Sequence, residues 1–115
     1  MGTPAIDLST YSELKDTAGA EFVVELVDTF LGEAPGMLAE LRSARAASDA
    51  DRFRRAAHSI KSNANTFGAL ALGALARELE LKGLASDLAG DDAAIDAVAS
   101  ELERAGAELK GLCHG

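Results

Sequence analysis

Apolar residues recur at helical spacing through most of this chain, and nowhere do they alternate as a half-buried strand requires. Phe22, Val23, Leu26, Val27, Phe30 and Leu31 form one broad stripe at i, i+3, i+4. A chain patterned this way buries its hydrophobic residues by packing helix on helix. Punctuation divides the pattern. Asp7 or Ser9 caps a short helix over Ser9–Thr17, after a frayed lead-in at residues 1–8, and Gly19 breaks it. The next segment runs from about Ala20 to Ala47, with a kink or short break expected at Ala34-Pro35-Gly36 because Pro35 lacks a backbone donor. Asp51–Phe67 follows the capping run Ser48-Asp49-Ala50-Asp51 and stops at Gly68. A helix over Ala69–Ser86 carries Leu72, Leu75, Leu79 and Leu81. Gly90-Asp91-Asp92 then marks a turn before a last helix over Asp92–Lys110, with Ile95, Val98, Leu102 and Leu109 inward, and a loose tail from Gly111. The expected fold is all-α, an antiparallel four-helix bundle with a short extra N-terminal helix, in one domain spanning 1–115 with a helical core of about 8–110.

Composition narrows the function classes. With 115 residues there is room for one core, and Ala and Leu dominate while aromatics are scarce. A net charge of −8 argues against nucleic acid as a partner, whose phosphates call for a basic surface. Cys113 is the single cysteine, so no internal disulfide is expected, and a reducing cytoplasm is the natural setting. No basic region followed by an apolar run marks a signal peptide, and no apolar stretch approaches the roughly 20 residues that span a bilayer.

The segment Asp51–Gly68 carries the chemistry. On a wheel of roughly 100° per residue, Phe53, Ala57, Ile60, Ala64 and Phe67 share one narrow arc. His58 lies roughly 140° from the centre of that arc, on the solvent side with Arg54, Lys61, Ser62 and Asn65. Lys61 and Ser62 stand one turn beyond it; Arg54 and Arg55 stand one turn before. An imidazole is a nitrogen nucleophile when neutral, and the neighbouring cations form a basic collar suited to a phosphoryl group or an acidic partner. Ser62 is small enough to leave room for that partner and can donate a hydrogen bond.

The run His58-Ser59-Ile60-Lys61-Ser62, followed by Phe67-Gly68-Ala69, resembles the signature of histidine-containing phosphotransfer (HPt) domains: His-x-x-Lys-(Gly or Ser), then an apolar residue and Gly-Ala some ten residues on. The flanking Phe53-Arg54-Arg55-Ala56-Ala57 and the upstream helix carrying Ala34-Pro35 extend the resemblance over about residues 8–110. It implies a four-helix bundle with an exposed phosphoacceptor, His58, and reversible exchange with the aspartate of a receiver domain. It also implies that Lys61 steadies the phosphoryl oxygens, that Ser62 fills a small-residue position where Gly is commoner, and that Gly68 ends the active helix. Docking is expected beside His58, involving Arg54, Arg55, Ala57, Asn65 and Gly68.

The implied partners are receiver domains of response regulators and a hybrid sensor kinase. The chain needs no cofactor of its own, since the divalent ion belongs to the receiver. No Walker-type loop or ATP-binding domain is present, which makes the chain a phosphocarrier rather than an enzyme. It is expected to be monomeric. A metal bundle is a poor alternative, because Arg55 stands where a Glu-x-x-His pair needs its glutamate and Cys113-His114 offers only two ligands. A binding-only bundle, and the phosphoacceptor domain of a larger chemotaxis-type or hybrid kinase, are the other readings.

Overall fold

The computed structural model describes residues 5–83 and 88–114 of the chain. Five helices follow one another: α1 (Leu8–Ala18), α2 (Ala20–Ala46), α3 (Ala50–Phe67), α4 (Leu70–Lys82) and α5 (Leu88–His114), with no strand among the described residues. The short links after α2 and α3 reverse the chain, so neighbours run antiparallel. α3 packs on α2 and α4, α5 closes the ring against the same two, and α1 lies across α2 and α3. This is the all-α bundle with its extra leading helix.

The five apolar residues that share an arc on α3 are all buried, and Phe53, Ala57, Ile60 and Ala64 are fully enclosed. They meet Leu41, Val27 and Val23 from α2, Leu72 from α4, and Ile95, Val98 and Leu109 from α5. Side-chain caps act where the sequence offers them. Asp7 accepts from the Thr10 N–H at 3.2 Å, and Asp49 accepts from the Arg52 N–H at 3.1 Å.

Several boundaries differ from expectation. α2 is one helix with Pro35 inside it. An interior proline costs about 3 kcal/mol, but Phe30, Ala34 and Leu41 are buried on both sides of it and hold the helix together. α4 stops at Lys82 because Gly83 takes a positive φ of 64° and returns its N–H to the Leu79 carbonyl. The expected continuation through residues 84–86 lies outside the described residues. Gly90 sits within α5 rather than before it, and the helix runs through Gly111 to His114 instead of loosening there. A glycine inside a helix costs only about 1 kcal/mol, less than a long packed face returns. Cys113 packs against the core edge, and 3.1 Å separates its Sγ from the Tyr11 hydroxyl. Burial, with the Cys113 hydrogen bond adding to it, pushes the Tyr11 phenol up to about 12. Leu81 and Phe22, assigned to apolar stripes, are instead 68% and 51% exposed.

Residues 5–7 of the lead-in are more ordered than expected, and residues 1–4 lie outside the described residues. Ala5 and Ile6 are buried, and their N–H groups donate to the Glu108 carboxylate at 3.0 and 3.1 Å. The Asp7 N–H then donates to the Gly68 carbonyl at 2.7 Å. Gly68 is left-handed (φ 83°, ψ 14°), and a Cβ added there would lie 2.7 Å from the Asp7 carbonyl oxygen. Gly68→Ala is therefore expected to destabilise the bundle by at least about 1–2 kcal/mol, the cost of the left-handed backbone, with the displaced strap adding to it. Urea denaturation measures this, and a wild-type midpoint would refute the proposed clash.

Candidate functional site

His58 lies midway along α3, with its side chain 61% exposed, as the wheel requires. What the sequence reading missed stands opposite it. Glu80 of α4 reaches across the α3–α4 seam, 2.7 Å from His58 Nδ1 through Oε2, and its Oε1 accepts from Lys61 Nζ at 2.9 Å. Where the two helices meet, Gly73 has no side chain, and the Asn65 amide occupies the place its Cβ would take. One signal could have revealed Glu80. α3 and α4 reverse at Gly68, so the residue ten positions before that turn must face residues about as far beyond it, where Glu78 and Glu80 are the carboxylates and Glu80 is the one that makes the contact.

The two contacts set the electrostatics. The Glu80 carboxyl is held below its usual range, first by the Lys61 hydrogen bond and next by the one from His58. An ionised carboxylate only accepts, so Nδ1 must be the protonated ring nitrogen. Nε2 is left with a free lone pair on an exposed ring. A depressed carboxyl contributes its interactions above the ordinary carboxylate range, and they fade as pH falls through the lowered value. The arrangement therefore persists into mildly acidic solution.

Glu80→Gln tests this reading. The glutamine amide can donate to Nδ1 as readily as accept, so the tautomer bias is lost. At metal sites, losing a partner that orients a histidine costs about 10–100-fold; here roughly tenfold slower phosphorylation of His58 is expected, at the low end of that range. The ¹⁵N shifts of the ring nitrogens should show the mixed tautomers, and unchanged shifts would count against the tautomer lock.

The other candidates separate. Ser62 is exposed one turn along the same face, while Asn65 is exposed beside Gly73. Arg54 is exposed but held by Asp51 at 2.6 Å. Arg55 is exposed on the flank of α3 nearer α2, where its charge helps, behind Arg52, to lower the Glu40 carboxyl. The basic collar is thus partly neutralised by carboxylates. Two docking assignments are corrected. Ala57 is fully buried and has no surface to offer a partner. Gly68 is enclosed beneath Asp7, and its role is to turn the chain. No three His, Cys, Asp or Glu side chains converge as a metal site among the described residues, and none of the helices they form is long and apolar enough to cross a membrane.

The family model of the Hpt domain matches residues 25–108, which takes in His58, Lys61 and Glu80. No curated protein and no solved structure matches the chain. Hpt domains are phosphocarriers rather than enzymes, and they interact with receiver domains in phosphorelays. With the match covering well over half its length, the chain belongs to the Hpt domain family.

Proposed function

We propose that this protein is a phosphorelay intermediate that accepts a phosphoryl group on Nε2 of His58 and exchanges it with the aspartate of a response-regulator receiver domain. The observation that carries this reading is the exposed imidazole whose Nδ1 is engaged by Glu80. In the step, the Nε2 lone pair forms the N–P bond as the acyl phosphate O–P bond breaks, and the receiver aspartate leaves as its carboxylate. The proton on Nδ1 stays in place. The ring gains positive charge, and the Glu80 carboxylate beside it stabilises that charge as it develops. Lys61, one turn away, steadies the phosphoryl oxygens, although it shares its charge with Glu80. Ser62 keeps the approach open.

Such a reaction depends chiefly on positioning and electrostatics, so a sparse site is sufficient. The divalent ion is the receiver's, and the donor upstream is a hybrid sensor kinase. On this reading the chain works as a cytoplasmic monomer, as one domain, with neither a kinase activity nor a cofactor of its own.

The test is incubation with receiver domains charged by acetyl phosphate, or with a phosphorylated hybrid kinase. The expected product is an acid-labile, base-stable phosphoryl group on this chain. Absence of label from every donor would leave a binding-only bundle.

A further inference from the structure

The site is short of one positive charge. Before transfer, Lys61 and Glu80 balance each other at 2.9 Å and the imidazole is uncharged as a nucleophile. A protein-bound phosphoryl group brings about −1.5 to −2 at neutral pH, and the charge gained by the ring offsets only part of it. A cation not already held by a carboxylate is therefore needed within reach of His58 Nε2. Most basic side chains nearby do not qualify. Arg54 is on Asp51, Arg52 is on Glu40, and Arg55 lies on the α2 flank of α3, where it acts on Glu40. Lys82, on α4, pairs with Glu78 at 3.4 Å.

Arg77 does qualify. It lies on α4 four residues after Gly73 and three before Glu80, which puts all three on one side of that helix. Both neighbours on this stripe meet α3: Gly73 lies against Asn65, and Glu80 meets His58 and Lys61. Arg77 therefore stands beside the seam between those two contacts, at the level of Ser62. Gly73 is buried and Glu80 half-buried, whereas Arg77 is exposed, on the outer edge of the stripe. It has no ion pair or hydrogen bond among the described residues. A guanidinium presents a planar fork of donors that fits two phosphoryl oxygens, which an ammonium does not match.

We propose that Arg77 is the phosphoryl-binding cation of this site, closing over the group on His58 Nε2 from α4 while Lys61 approaches from α3. This rests on the phosphocarrier reading and deepens it, and it makes the phosphorylated site a property of two helices rather than one motif. Ser62, smaller than any long side chain, leaves the gap that the guanidinium crosses.

Phosphoramidate, a small-molecule phosphoryl donor, tests this without a partner protein. The wild-type chain, Arg77→Ala, Arg77→Lys and Arg42→Ala, whose arginine pairs with Asp96 between α2 and α5, are each incubated with it, and phosphohistidine is followed by ³¹P NMR. Arg77→Ala should form phosphohistidine about tenfold more slowly, and the ³¹P shift should titrate at higher pH because the dianion has lost a cation. Arg77→Lys should recover part of both effects, and Arg42→Ala should resemble wild type. Thermal unfolding of Arg77→Ala should match wild type, since an exposed unpaired side chain contributes little to folding. Equal rates and equal ³¹P titrations in wild type and Arg77→Ala would overturn the assignment while leaving His58 as phosphoacceptor. An unlabelled His58 in the wild-type chain would overturn both.

Discussion

Replacing His58 with Gln should leave the chain folded and completely unlabelled by a phosphorylated receiver domain. Glutamine is close to histidine in length and can donate its amide N–H to Glu80 where Nδ1–H did, so the α3–α4 contact survives. What disappears is the ring nitrogen with a free lone pair. The side chain is 61% exposed, and substitutions at such positions shift stability by about 0.5 kcal/mol or less. The measurement pairs transfer of labelled phosphate with thermal unfolding of the same sample. Label persisting on the His58→Gln chain would mean that another residue is the acceptor.

Phe67→Ala should have the largest effect on folding. The ring is 2% exposed and stacks on Phe30, with centroids 5.4 Å apart and planes inclined by 26°. It joins α2 to the end of α3 next to the Gly68 turn. Truncating a buried phenylalanine removes its transfer free energy and opens a cavity, at a cost of about 3–5 kcal/mol. Whole-domain stabilities run to only about 5–15 kcal/mol, so the urea midpoint should fall by a large fraction of its value. Where the variant is still folded, His58 should accept phosphate normally, because the ring does not touch the site. A loss below about 1 kcal/mol would show that the ring is not a core contact.

α3 was legible because burial there follows a single period. Phe53, Ala57, Ile60, Ala64 and Phe67 fall on one arc, and the same arithmetic put His58 outside. Its partner was not legible in the same way. Glu80 is 22 positions away on another helix, and it meets His58 because α3 and α4 reverse at Gly68 and pack side by side. Local pattern describes each helix by itself, whereas a site built across a seam depends on register. Ala57 is a different case: the wheel already places it on the core arc, and its burial follows that arc rather than its nearness to His58 in sequence. In sequence Pro35 and Gly90 look like breaks because their local cost is visible there while the burial that offsets it is not. Ile6 stands alone without a period, so its place in the core could not be read from spacing.

The N-terminal strap also fixes tether geometry. With the Asp7 N–H on the Gly68 carbonyl and the N–H groups of Ala5 and Ile6 on Glu108, the chain is pinned at the end of the bundle where α3 turns into α4. Ten residues of α3 separate His58 from Gly68, about 15 Å at the helical rise of about 1.5 Å per residue. Anything fused ahead of Ala5 is thus anchored about 15 Å along α3 from the phosphoacceptor. A linker there sets the effective concentration of a fused receiver at His58 from a fixed origin.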